Sequence, residues 1–379
     1  MQVEKIRLGD VVSFSKGQQI NGDELMKNGR YDYLNGGINP SGCWNDFNVT
    51  GDTVTISEGG NSCGYVNYMS YPFWCGAHCY YLYDSKLNNK YLYYALKSQQ
   101  EKIMKLRTGA CMPNIKKTDL GKFELNITTD INAQELTVFI LDKITALIDK
   151  RKKQLEKLDE LVKSRFIEMF GDPNSNEKGW TVSTLGEYMT LLTDFSANGS
   201  YELLDSNVVM YDEPNYAVMV RTTDLEAGNL TDGVKYIDRT AYELLSKSKL
   251  YGGELIMNKI GSAGKIYIMP QIDKPASLGR NAFMFRFDDR INMVYLYALL
   301  SSDYGTKEIQ QYVRGAVTKT ITKESTRSIR VIVPPIELQE QYATFVKQVD
   351  KSKFEIKQSL EKLELLKKAL MQKYFGYGG

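Results

Sequence analysis

Basic side chains gather twice in this sequence. From Lys97 to Lys122, the bases Lys97, Lys102, Lys105, Arg107, Lys116, Lys117 and Lys122 stand against only Glu101 and Asp119. Farther along, Lys307, Arg314, Lys319, Lys323, Arg327 and Arg330 stand against Glu308 and Glu324. Mixed with Thr, Asn and Gly, such residues supply charge that neutralises phosphates and donors that reach base edges. A solvated charged face is the ordinary alternative for any one of them, but recurrence at matching places favours function. Each cluster is accompanied by a Gly-rich turn, one with Asn61 and Ser62, the other with Ser262 and Lys265. Glycine lets backbone approach a phosphate closely, and Arg or Lys pairs with guanine in the major groove. The binding candidates are therefore Asn61, Ser62, Arg107, Lys116, Lys117, Ser262, Lys265, Arg314, Lys319 and Lys323.

Other chemistries find less support. The one histidine, His78, lies in "CGAHC" between Cys75 and Cys79, and with Cys63 nearby these residues make a candidate zinc set. The spacing is not a paired Cys-x-x-Cys and the second half has no counterpart, so buried thiols are the better reading and a metal at Cys75, His78 and Cys79 stays open. A lone His makes no catalytic triad. "KIGSAGKI" (Lys259 to Ile266) resembles a phosphate loop but has Lys259 where the first Gly belongs and Ile266 where the metal-binding hydroxyl belongs. "VPPI" (Val333 to Ile336) has Val and Ile where an adenine methyltransferase carries Asn or Asp before the prolines and an aromatic after. No catalytic residue and no metal ligand is predicted. The many tyrosines are read as packing residues, "YLYYAL" above all.

The elements that position these residues are written twice. "QLEKLDELVKSRFIEMFG" (Gln154 to Gly171) returns as "SLEKLELLKKALMQKYFG" (Ser359 to Gly376), and a longer match extends upstream of both. "IRLGD" answers "STLGE", "GDTVTIS" with its Gly-rich turn answers "GELIMNKIGSAG", and "YLYYALKS" answers "VYLYALLS". "TGACMPNIKKTDLGKFEL" answers "RGAVTKTITKESTRSIRV", and "AQEL" answers "LQEQ". Short β-branched and aromatic runs between "NGG", "GGN" and "GSAG" turns make each copy β-rich, with one amphipathic helix near Lys90 to Leu106 and Asn292 to Val313.

Apolar residues at spacings of three and four then predict a long helix after each copy, from Leu136 to Met169 and from Leu338 to Tyr374, with Lys and Glu on the other faces. Each is roughly 35 residues, about 50 Å long. Because the second copy starts where the first helix ends, pairing the two apolar stripes requires antiparallel helices. The expected boundaries are 1–131 for the first domain, 132–171 for the first helix, 172–335 for the second domain and 336–376 for the second helix. The fold class is α+β: two β-rich domains, two long antiparallel coiled-coil helices and a pseudo-two-fold internal repeat.

Composition agrees with this plan. A chain of 379 residues is long enough for two ordinary domains, and its net charge of +2 leaves any nucleic-acid affinity to local patches. The five cysteines all fall in the first third, which argues against a disulfide framework. No run approaches the apolar length of a membrane span, and the opening "MQVEKIRLGDVVSF" has no apolar block, so a soluble, cytoplasmic protein is expected.

In order and content these motifs resemble the specificity subunit of type I restriction-modification systems: early "LGD" or "LGE", "YLYYAL" or "YLYALL", "RGAVTKTITKESTRSIRVIVPPIELQEQ" and "LEKL" helices ending in "FG". The similarity covers essentially the whole chain. Copy one departs from the pattern in "CMPNIKK" and "NITTDINAQEL", without the paired prolines. The resemblance implies two target-recognition domains, each reading one half of a bipartite double-stranded DNA target, with the helices setting the unread gap. Divergence between the domains makes an asymmetric target the expectation. It also implies two methyltransferase subunits and restriction/translocase subunits as partners, with S-adenosylmethionine and ATP on those partners and no cofactor here. Two other readings compete: a subunit with catalytic turnover of its own, which the missing motifs oppose, and a coiled-coil scaffold with two protein-binding heads that binds no nucleic acid.

Overall fold

The computed structural model describes residues 3–109 and 113–376; Cys111 lies outside the described residues. Two compact units emerge, residues 1–154 with 355–379 and residues 155–354, so each long helix contributes to both.

In the first unit Glu4–Arg7 pairs antiparallel with Glu124–Ile127. A four-stranded antiparallel sheet follows in the order Ser13–Lys16, Cys79–Tyr83, Thr53–Ser57, Val66–Met69. A three-stranded sheet places Tyr31–Leu34 between Gly42–Trp44 and Trp74–Cys75, the last pair being parallel. The second unit repeats this plan. Thr181–Thr184 pairs with Arg330–Val333. Met189–Asp194, Ala282–Phe287, Leu255–Asn258 and Ile266–Ile268 form its antiparallel sheet. The remaining sheet again contains one parallel pair, Ala217–Val220 with Ala276–Leu278, flanked by Lys235–Ile237 and Lys249–Leu250.

The single amphipathic helix expected in each copy is broken in two. Asn89–Ser98 is followed by Gln100–Met104, and Met293–Ser301 by Asp303–Gln310. Ser302 explains the second break: its backbone is extended and its hydroxyl accepts from the Gly305 N–H, so it ends one helix and caps the next. Asn88 and Asn292 cap the leading helices in the same way, each side chain accepting from two backbone N–H groups. This equates Tyr91 with Tyr295, one residue away from the match that "YLYYALKS" and "VYLYALLS" suggest by eye. Both tyrosines are fully buried, with hydroxyls bonded at the closing strand: Tyr91 accepts from Thr128 N, just past its end, at 3.1 Å, and Tyr295 donates to Ile332 O, within it, at 2.9 Å.

The long helices run Ile131–Phe170 and Ile336–Phe375, 40 residues each, longer than the apolar stripes alone predict. Pro335 opens the second. Asp130 does this for the first, its carboxylate accepting from Asn132 N at 3.0 Å, which answers for the missing prolines of copy one. In the first unit Lys152 meets Glu364 at 3.4 Å, while Leu141, nearer the start of the first helix, shares a core with Phe375. In the second unit Lys353 meets Asp159 at 2.6 Å and Tyr342 packs on Phe166 and Phe170. In each unit the helices are therefore antiparallel. Among the described residues no helix is long and apolar enough to cross a membrane.

A glutamine locks the start of each long helix to its unit. Gln134 accepts from Asn88 N at 2.8 Å and donates to Thr128 O at 2.9 Å; Gln339 accepts from Asn292 N and donates to Pro334 O, both at 2.8 Å. Both side chains are fully buried. Gln339→Leu leaves a backbone donor and acceptor without partners, and is expected to lower stability by about 1–3 kcal/mol, read as a lower urea midpoint by Trp180 fluorescence.

Candidate nucleic-acid interface

In both units the fold brings the Gly-rich turn onto the basic loop. Gly60 N donates to Pro113 O at 3.0 Å and Ile115 N to Glu58 O at 2.9 Å; Gly261 N donates to Lys319 O at 2.9 Å and Ile321 N to Lys259 O at 3.0 Å. The loops close alike, by Thr108 pairing with Asn114 and Arg314 with Thr320. Each turn returns through a glycine of positive φ, Gly64 (+88°) or Gly264 (+86°). A Cβ there would lie 2.8 Å from Met104 Cα or 2.5 Å from the Ile309 side chain, so nothing larger fits against the helix behind the turn.

The candidate side chains divide by what they already hold. Asn61, Arg107, Lys116, Lys117 and Lys319 are exposed, and the four bases among them have no ion pair among the described residues. Ser62 is turned to the loop beside it, donating to Gly36 O at 2.6 Å. Ser262, Lys265 and Lys319 line one cleft of about 420 Å³, where Lys265 pairs with Glu226. Arg314 folds back on the carbonyls of Gln311 and Val313. Lys323 donates to Asp194 at 2.8 Å. Lys97 leaves the basic face altogether: it donates to Val66 O at 3.0 Å, lies 3.7 Å from the centre of the Tyr65 ring, and is pushed down to about 8 by burial.

One feature escaped the sequence because it is inverted. Lys16 pairs with Tyr80 across the sheet as Asp194 pairs with Phe283, and Glu58 and Lys259 occupy the same place after the neighbouring strand. Lys16 bonds Glu58 in the first unit, whereas Lys259 bonds Asp194 at 2.7 Å in the second. The pair is kept and its charges are exchanged. Asp194 is nearly buried; burial opposes its ionisation, but hydrogen bonds from Lys259 and Lys323 outweigh this and hold its carboxyl below the usual carboxylate range. Reading "SFSK" against "LLTD" by position rather than by residue type would have exposed the exchange.

"CGAHC" also has a positional counterpart. Gly76 N donates to Leu34 O at 2.9 Å and Gly279 N to Val220 O at 2.8 Å, and the next contacts match too: Glu58 N to His78 O at 2.9 Å, Lys259 N to Asn281 O at 2.8 Å. "LGRNA" (Leu278 to Ala282) therefore stands where "CGAHC" stands, with unrelated chemistry. Cys75 and Cys79 are buried in a small apolar core with Leu34 and Phe73, while His78 is exposed and its Nδ1 lies 3.5 Å from Glu58. Imidazole and thiols thus face apart, and among the described residues no group of three His, Cys, Asp or Glu is arranged to hold a metal.

Known proteins resemble this chain in sequence and in fold. The chain is 23% identical to the specificity subunit of the type I restriction enzyme MjaVIII of Methanocaldococcus jannaschii, over 391 aligned residues spanning 97% of this chain and 91% of that one. A 160-residue stretch is 35% identical to a chain named as a type I specificity subunit in Mycoplasma pneumoniae, and spans 41% of this chain and 41% of that relative's length. The crystal structure of a type I restriction-modification S subunit from M. genitalium has the same fold, with a TM-score of 0.67 at 22% identity, covering 100% of this chain and 97% of that one. A chain from a structure of type I restriction-modification complex assembly gives 0.55 at 12% identity, covering 98% and 97%. The model of the type I restriction modification DNA specificity domain matches twice, at residues 2–160 and 177–367. Carrying two copies of that domain over most of its length, the chain belongs to the type I restriction-modification specificity family.

Proposed function

We propose that this chain reads a bipartite, asymmetric sequence in double-stranded DNA, one half with each recognition domain, and recruits the subunits that act there. The observation that carries this is the duplicated seat of a Gly-rich turn on a basic loop, built by equivalent hydrogen bonds in both units. Arg107, Lys116, Lys117 and Lys319, free of ion pairs among the described residues, are the phosphate-contacting side chains in this reading. Asn61, Ser62, Ser262, Lys265, Arg314 and Lys323 shape or border the same surface. The exchanged charges of the Lys16–Glu58 and Asp194–Lys259 pairs favour two different half-sites.

The domains are assigned to 1–131 and 172–335, and the helices at 132–171 and 336–376 set the unread gap between half-sites. Two methyltransferase subunits and the restriction/translocase subunits are the partners, holding S-adenosylmethionine and ATP; this chain has no catalytic centre of its own and works in the cytoplasm. Co-expression with the cognate methyltransferase subunit, followed by sequencing of modified bases in host DNA, tests the proposal. A single two-part motif with an unread gap is expected. No modification, with a methyltransferase shown to be active beside another specificity subunit, favours the protein-binding scaffold.

A further inference from the structure

We propose that bases within the half-sites are read at the turns that leave the parallel strands: by His78 in the first unit, and by Arg280 with Asn281 in the second. This rests on the DNA-reading function above and assigns its specificity-determining residues. The two strands of a parallel pair discharge their following loops at one common edge of the sheet. Among the described residues each recognition unit has one parallel pair. One residue ties that edge to the basic loop in both units. Glu58 donates its N–H to His78 O and accepts from Ile115 N; Lys259 donates to Asn281 O and accepts from Ile321 N. The turn and the phosphate-gripping loop are thus neighbours in a frame that both units share.

Phosphates are alike under every base, so a frame that grips them can stay constant between half-sites. Residues that read bases must change. The turns meet that condition: their backbone hydrogen bonds match within 0.1 Å (2.9 and 2.8 Å), while Ala77-His78 in one is Arg280-Asn281 in the other. Arg280 is held ready, its guanidinium 5.2 Å from the Phe195 ring centre and 5.6 Å from that of Tyr201, with Nη2 donating to Asp205 at 3.0 Å. Asn281 is exposed with φ of +69°, an uncommon conformation for a residue with a side chain, and its amide makes no hydrogen bond among the described residues. Both border a cleft of about 340 Å³ whose wall includes Phe195, Met219 and Thr222. A guanidinium fork matches guanine O6 and N7, and a carboxamide matches adenine N6 and N7. The half-site of the second unit accordingly contains a guanine read by Arg280 and an adenine read by Asn281.

The test is methylation mapping with the full chain and its methyltransferase, comparing wild type with Arg280→Gln, Arg280→Lys, Asn281→Gly and His78→Ala. Wild type is expected to yield one two-part motif. Arg280→Gln should relax one guanine position, raising modification of sites with another base there by roughly 5- to 150-fold relative to wild type, and should leave the other half-site intact. Arg280→Lys keeps a charge and a guanine-directed donor at the same place, and should relax that position less than Arg280→Gln. Asn281→Gly keeps the backbone conformation and relaxes an adenine in the same half. His78→Ala changes the opposite half only. The inference is overturned if these variants keep the wild-type motif, lose modification without a change of motif, or relax both halves. A wild-type complex that modifies nothing sinks the DNA-reading function itself.

Discussion

Phe170→Ala is expected to lower the stability of the second unit by about 3–5 kcal/mol, the range for emptying an aromatic site in a packed core. Phe170 ends the first long helix and is almost fully buried. Its ring centre lies 4.7 Å from Tyr295, 5.0 Å from Phe166 and 5.5 Å from Tyr342, with edge-on or tilted geometry throughout, so the loss includes ring–ring attraction as well as buried area. The repeated phrase finds its reason here. Phe375, its equivalent at the end of the second helix, packs at 5.2 Å against Tyr91 in the first unit. Each "FG" ending plugs one long helix into the core of a recognition unit, and each helix end is held again by a side chain on its last carbonyl, Trp180 on Phe170 at 2.8 Å and Gln99 on Phe375 at 3.4 Å. Phe375→Ala meets fewer rings and should cost less, about 3 kcal/mol. Urea titration followed by Trp180 for the second unit, and by Trp44 and Trp74 for the first, separates the two. A loss below about 1 kcal/mol for Phe170→Ala would show that the ending merely terminates the helix.

What could be read in advance follows from what leaves a periodic trace. The long helices repeat apolar residues every three or four positions over 40 residues, and the Gly-rich turns beside basic loops stand out by composition; both were legible. The parallel pairs were not. Trp74–Cys75 is two residues long and Ala276–Leu278 three, too short for any alternation to register. The break at Ser302 depends on a cap inside an apolar run, and the equivalence of Tyr91 with Tyr295 on hydroxyls that reach a strand far along the chain. The Lys16–Glu58 and Asp194–Lys259 pairs stayed hidden because matching by residue type penalises an exchange of sign, although the interaction conserved is the same. The seat of each Gly-rich turn on its basic loop was therefore legible from glycines and bases, while the exchanged ion pair was the kind of position that similarity scores as noise.

Asp194→Ala should be the most destabilising change on that surface, by about 3 kcal/mol at neutral pH, because it strands charges that one carboxylate satisfies. Lys259 keeps only 15% of its side-chain surface exposed and loses its partner outright; Lys323, at 37%, can turn to water. In the first unit Lys16→Ala strands Glu58, itself 14% exposed but with His78 still 3.5 Å away, and should cost about 1–3 kcal/mol. Acid separates the cases further. Asp194 ionises in the folded chain below the usual carboxylate range, so its contribution is complete above the unfolded value of about 3.9 and disappears as pH falls through the folded value. The stability gap between wild type and Asp194→Ala should thus be flat from neutral pH down to about 5 and close below about 4. Asp194→Leu combined with Lys259→Met removes the buried orphan together with its partner, and should recover much of the loss. Urea midpoints for the single and double variants at neutral and acid pH decide the matter. A gap that persists at acid pH, or a double variant no better than Asp194→Ala, would mean that Asp194 acts through packing and not through charge.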